Sequence, residues 1–134
     1  MEKAIIVTEA APKAIGPYSV GVWAGDLLFV SGQTPIDPAT GSIAGETAAQ
    51  QMHQSIKNVR AILNAAGLDL ADVVKSTLFI KDMNAFSAVN EVYASYFTPP
   101  FPARSCVEVA RLPRDVLVEL EVIASRGLDR DRQA

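Results

Sequence analysis

Few residues in this chain are equipped for chemistry. It holds one cysteine, Cys106, and one histidine, His53. A nucleophile–base pair would need the two to meet. His53 lies at the edge of a helical stripe and Cys106 in a strand-like stretch, and nothing in the sequence places one beside the other. A Ser-His-Asp triad fails for the same reason, so His53 reads as a half-exposed helix residue and Cys106 as a buried structural thiol. No carboxylate–histidine cluster has metal-ligand spacing. The loop "SGQTPIDPATG" lacks the Lys-Ser/Thr ending and the immediate helix of a phosphate loop. What remains is Arg104 in "FPARSCVEVARLP", with Glu119 and Glu121 in "DVLVELEVIAS". An arginine fork grips a carboxylate bidentately and keeps its charge at any relevant pH. A glutamate held nearby can orient or activate a water. The plain alternative is an Arg–Glu pair across a sheet, worth little if exposed. Spacing alone leaves both readings open.

The elements that must position these groups follow from periodicity. Around Arg104, Ser105, Val107 and Val109 alternate with Cys106, Glu108 and Ala110, the period of a strand with one mostly apolar face and one face carrying Arg104, Cys106 and Glu108. In the last strand Val118, Leu120, Val122 and Ala124 share one face, and Leu117, Glu119, Glu121 and Ile123 share the other. Upstream, "KAIIVT" reads as a short strand. Tyr18 to Ala24 and Leu27 to Ser31 read as a hairpin about a Gly25-Asp26 turn. A long loop with two prolines and two glycines follows. Met52, Ile56, Val59, Leu63 and Ala66 form the apolar stripe of a helix over 47–66, stopped by Gly67. Asp72 to Lys81 is a strand. Asn84 is placed to cap a second helix running to about Phe97, with Phe86, Val89, Tyr93 and Tyr96 inward and Pro99-Pro100 ending it.

The order β-β-β-α-β-α-β-β describes one α+β domain. Two helices cover only one face of a six-stranded sheet, and a second face of mixed polarity is often completed by another subunit, so a homo-oligomer is expected. With 134 residues the chain suits a single domain, 1–126, followed by a charged tail, 127–134. A net charge of −3 with scattered basic residues offers no nucleic-acid footprint. A lone cysteine suits a reducing compartment, and the N-terminal apolar run is too short for a signal or a membrane span, which together predict a soluble cytoplasmic protein without membrane partners.

The motifs "AIGPYS", "VSGQTPIDPATG", "FPARSCVEVARLP" and "ELEVIA", in that order, resemble the RidA (YjgF-type) family over about residues 3 to 126. The resemblance implies a chorismate-mutase-like fold, a six-stranded mixed sheet with two helices on one face, in which the final strand does not simply pair with its predecessor. It implies a homotrimer with active sites in the clefts between subunits. The implied activity is cofactor-free hydrolysis of reactive enamines and imines, 2-iminobutanoate and 2-iminopropanoate, to 2-oxo acids and ammonia. Carried over by position, Arg104 holds the substrate carboxylate and Glu119 positions the water. Cys106 contributes its backbone, and Tyr18, Ser31, Gly32 and Asn90 shape the cleft, with Tyr93 and Phe97 in the helix region lining it. The segment "FTPPFPARS" is shorter than in some members, which bears on substrate range. The alternative is a non-catalytic module that binds small 2-oxo acids or a protein partner through the same cleft. A chaperone-like or translation-inhibiting role draws little support from an acidic chain without a basic patch.

Overall fold

Six strands and two helices follow the order read from the sequence in the computed structural model, which describes residues 2–128. They are β1 (Ile5–Ile6), β2 (Gly21–Ala24), β3 (Leu27–Gln33), α1 (Ala48–Ala65), β4 (Val73–Ile80), α2 (Phe86–Tyr96), β5 (Ala103–Glu108) and β6 (Val118–Ser125). They form a mixed sheet in the order β1-β2-β3-β6-β4-β5. All neighbours run antiparallel except β4 and β5. β6 is thus inserted between β3 and β4 and does not return against β5, as the family resemblance implied.

Local chemistry sets the helix ends. Thr47 Oγ accepts from the Gln50 N–H at 3.2 Å, and the Gln50 side chain accepts from the Thr47 N–H at 3.1 Å, a reciprocal capping box. At the other end Gly67 takes φ +79°, and Leu68 N–H reaches the Leu63 carbonyl at 2.8 Å, a Schellman ending that only a residue free of Cβ crowding adopts cheaply. The helix bounds and Gly67 stop therefore match the sequence reading. The second helix differs. The Asp82 carboxylate accepts from the Asn84 N–H at 2.9 Å and caps a 3-10 turn over Met83–Ala85, so α2 begins at Phe86 and Asn84 is not its cap. An acidic side chain two residues upstream captures the amide first.

The core lies between the helices and one face of the sheet. Met52, Ile56, Val59 and Leu63 of α1 and Val89, Tyr93 and Phe97 of the α2 region pack on Leu28, Val30, Leu78, Ile80, Leu120 and Val122. Buried polar side chains of α1 secure the loop after β3: Asn58 Nδ2 donates to the carbonyls of Thr34 and Ile36 at 3.1 and 2.9 Å. That loop also carries an Ile36–Ile43 bridge that the sequence reading did not anticipate.

The opposite face has no cover within the protomer. Ile5, Leu27, Phe29 and Val107 stay exposed there, beside Lys75, Glu119, Glu121 and Ile123. Leu117 does not join them. It precedes β6 and packs against the core, with its N–H donating to Gln51 Oε1 at 2.8 Å. β1 spans only Ile5–Ile6, since β2 offers register partners for those two residues alone. Among the described residues no helix is long and apolar enough to cross a membrane. The tail positions 129–134 lie outside the described residues.

Candidate active site

Register decides where Arg104 points. On β5 it pairs with Ser76 of β4, Cys106 with Leu78 and Glu108 with Ile80. Ser76, Leu78 and Ile80 are fully buried beneath the helices, and register partners share a face. Arg104 and Cys106 therefore face the helix side. The Ser105–Val107 face, expected from composition to be the apolar one, is the exposed one, with Val107 at 42% exposure. β5 is an edge strand, so its helix-side residues sit at the rim of the core, where a long side chain can bury its stem and keep its charge accessible.

At that rim the Arg104 guanidinium is well furnished. Nη1 donates to Asn90 Oδ1 at 2.8 Å. The guanidinium carbon lies 4.7 Å from the Tyr93 ring centroid and 5.6 Å from that of Phe86. Tyr93 is itself held from behind, its hydroxyl 2.7 Å from Ser76 Oγ and its ring stacked on Phe97 at 4.2 Å. Burial pushes the Tyr93 phenol pKa up, and the Ser76 hydrogen bond and the Arg104 charge offset part of that rise. The Cys106 thiol is pushed up as well, by burial against the smaller pull of Arg104, so it is held as the poorly nucleophilic thiol. Tyr93 and Phe97 are both buried, Tyr93 with its ring against the Arg104 guanidinium and Phe97 stacked on Tyr93.

Glu119 lies on the other face. It pairs with Phe79 across β4, between the buried positions Leu78 and Ile80, and so points away from the helices. Arg104 and Glu119 stand two strand spacings apart across the sheet and three residues apart along it, roughly 14 Å between backbones by sheet geometry, and on opposite faces. No ion pair joins Arg104 to an acidic residue among the described residues, so the plain cross-sheet Arg–Glu pair is not what the fold builds. The Glu119 carboxyl pKa is raised, first by burial and then by the like charge of Glu121. Its carboxylate lies over the backbone of Gly32, where a Cβ would stand 2.8 Å from Glu119 Cδ.

A β-bulge creates that closeness. Pairing of β3 with β6 runs through Val30–Val122 and resumes at Gln33–Leu120, so Ser31 and Gly32 together face one residue of β6. Ser31 Oγ donates to the Ser19 carbonyl at 2.7 Å and ties the bulge to the segment next to Tyr18. Tyr18 is half exposed and lines a cleft of about 710 Å³ with Gln33, Lys13 and Arg114.

The candidate residues thus fall into two groups. Arg104, Asn90 and Cys106 meet on the helix side of the β5 edge. Glu119, Gly32, Ser31 and the Tyr18 segment gather around the bulge on the open side. Two neighbours of the first group were not read from sequence as site residues: Phe86, expected only as part of the buried stripe of the second helix, and Ser76. A signal existed for each: Phe86, Asn90, Tyr93 and Phe97 are spaced four, three and four, one helix face, and Ser76 is the polar residue at an inward position of β4.

The family described as endoribonuclease L-PSP matches residues 8–126 of the chain. A 2-iminobutanoate/2-iminopropanoate deaminase of Salmonella typhimurium is 55% identical over 124 residues, covering 90% of this chain and 96% of that protein. A RutC family protein of Pyrococcus horikoshii is 55% identical over 122 residues, 91% of this chain and 97% of its own. Among solved structures, the YjgF gene product of E. coli superposes with a TM-score of 0.87 at 52% identity, over 92% of this chain and 98% of that one. E. coli TdcF with bound serine superposes with a TM-score of 0.87 at 50% identity, over 92% and 99%. The fold, the ordered motifs and these likenesses agree: the chain belongs to the endoribonuclease L-PSP family, the RidA (YjgF-type) proteins.

Proposed function

We propose that this chain is an enamine/imine deaminase that hydrolyses 2-iminobutanoate and 2-iminopropanoate to the 2-oxo acids and ammonia. The observation that carries the reading is the state of Arg104. Arg60, Arg111 and Arg126 each pair with an aspartate, and the exposed Arg114 donates to the Gly41 carbonyl, whereas Arg104 is half-buried, held by Asn90 and two aromatic rings, and has no acidic partner among the described residues. A positioned guanidinium without a counter-ion is a site for a ligand carboxylate. TdcF, similar over nearly the whole chain, binds serine, a small amino acid with such a carboxylate.

The chemistry follows from where the carboxylate is fixed. In a 2-imino acid it lies one carbon from the electrophilic C2, so Arg104 fixes the electrophile and positioning supplies most of the catalysis. A water held by Glu119 adds to C2, giving a tetrahedral carbinolamine. The nitrogen is protonated, the C–N bond breaks as the C2 hydroxyl gives up its proton, and ammonia leaves the 2-oxo acid. The raised pKa of Glu119 suits it to pass a proton between the water and the departing nitrogen. Cys106 contributes its backbone, and Tyr18, Ser31, Gly32 and Asn90 shape the cleft. The chemistry calls for no cofactor.

Arg104 and Glu119 project from opposite faces of one sheet, so a single protomer does not present both to one small substrate. The proposed assembly is the homotrimer of the chorismate-mutase-like arrangement, with the open face of one copy completing the β5 edge of the next. The exposed Phe29, Leu27 and Val107 are the apolar surface such packing would bury. The unit is the single domain 1–126, with 127–134 as a charged tail. An RNA-directed role finds no electrostatic support in a chain of net charge −3.

A coupled assay tests the reading. A threonine dehydratase generates the imine, semicarbazide traps what survives, and the protein competes with the trap. Wild type should cut semicarbazone formation and Arg104→Ala should not. Binding of 2-oxobutanoate without any change in the trap signal would instead favour the non-catalytic carboxylate-binding module.

A further inference from the structure

We propose that Tyr93 is a positioning residue for Arg104, its ring setting where the guanidinium waits for the substrate carboxylate; the inference rests on reading Arg104 as the carboxylate clamp. Arg104 is a long side chain on an edge strand and loses much rotamer freedom when it grips a ligand. Its one hydrogen bond among the described residues, to Asn90, fixes one nitrogen and leaves rotation about that contact open. The Tyr93 ring, 4.7 Å from the guanidinium carbon, supplies the second restraint, with Phe86 at 5.6 Å as a weaker third. The remaining N–H groups stay available for a carboxylate.

Tyr93 can serve as a fixed reference because it is fixed at both ends. It is 5% exposed, its ring stacks on Phe97 at an interplanar angle of 16°, and its hydroxyl pairs with Ser76. Ser76 is the residue directly opposite Arg104 in the β4–β5 register. The same pair of strands therefore anchors both the arginine backbone and, through one hydroxyl, the ring against which its side chain rests. A buried tyrosine chosen only for packing has no need of this register match.

The test separates ring electrostatics from shape. Position 93 is changed to phenylalanine, to leucine, and to 3,4,5-trifluorophenylalanine, which keeps the ring nearly the same size but removes its attraction for a cation. Each protein is assayed for 2-oxobutanoate affinity and for KM and kcat on the enzymatically generated imine, beside Arg104→Ala. We expect Tyr93→Phe to stay within about threefold of wild type. The fluorinated variant should lose about five- to tenfold in affinity and KM with kcat changed less, as loss of a partly desolvated cation–π contact implies. Tyr93→Leu should fall likewise where it folds. If the fluorinated protein binds as tightly as Tyr93→Phe while Arg104→Ala loses binding, the clamp stands and the positioning role is wrong. If Arg104→Ala itself keeps its affinity, the clamp and the proposal built on it fall together.

Discussion

Replacing Gly32 with alanine should separate activity from stability. A Cβ at this position would stand 2.8 Å from Glu119 Cδ and 3.1 Å from Cγ, and closer still to Oε2. Real Cβ atoms do not tolerate such contacts, so the carboxylate must swing away. What moves is the end of a flexible side chain, and Gly32 is not among the glycines of positive φ, so the backbone accepts alanine without strain. The folding cost is then that of an altered glutamate rotamer, about 0.5–1.5 kcal/mol, or a few degrees in Tm for a domain of this size. The catalytic cost is larger, because displacement of a reacting group by about 1 Å can lower the rate about a hundredfold. Gly21→Ala is the internal contrast. Its Cβ would meet Ile6 at 3.1 Å and Ile62 at 3.3 Å in the core, so it should lose stability by overpacking, about 1–3 kcal/mol. Both variants would be followed by thermal unfolding and by the semicarbazide-coupled assay. Wild-type kcat/KM in a well-folded Gly32→Ala protein would show that the carboxylate position seen here is not the one that matters. A loss of several kcal/mol would show that the backbone at the bulge, and not the side chain above it, is what alanine disturbs.

Other expectations can be checked with the same assays. Arg104→Lys should cost about ten- to a hundredfold in kcat/KM, since a point charge cannot reproduce a bidentate fork; near-normal activity would count against the clamp. Cys106→Ala should keep most activity if only the backbone at 106 is used, and complete loss in a folded protein would make the thiol a nucleophile. Glu119→Gln should stabilise the fold at neutral pH: the folded pKa is raised by burial and by Glu121, so the stability tied to the protonated carboxyl is full below the unfolded value and is lost as pH rises through the folded one. Its advantage over wild type should fade as the pH drops below the ordinary carboxylate range, and an advantage unchanged by pH would contradict the assignment. Asn58→Ala should cost about 2–4 kcal/mol in denaturant unfolding by orphaning the carbonyls of Thr34 and Ile36; a neutral result would mean water replaces the amide there.

What the sequence determined by itself is local in origin. The Gly67 stop, the hairpin turn at Gly25-Asp26 and the buried stripe Met52–Ile56–Val59–Leu63 depend on contacts within a few residues, so composition and spacing state them directly. The inward face of β6 was legible for the same reason, since alternation within one strand is a property of that strand. The ordered motifs around Tyr18, Ser31, Arg104 and Glu119 also named the family. Alternation could not say which face of β5 meets the helices, because an edge strand with a half-polar sequence has no strong preference of its own. That was decided by its parallel register with β4, which sets Arg104 beside Ser76 and beneath Tyr93. Nor could spacing reveal that the two central residues of the proposed site stand on opposite faces, or that a bulge at Ser31–Gly32 brings backbone under Glu119. Those relations join residues far apart in the chain, and only the pairing of β6 between β3 and β4 fixes them.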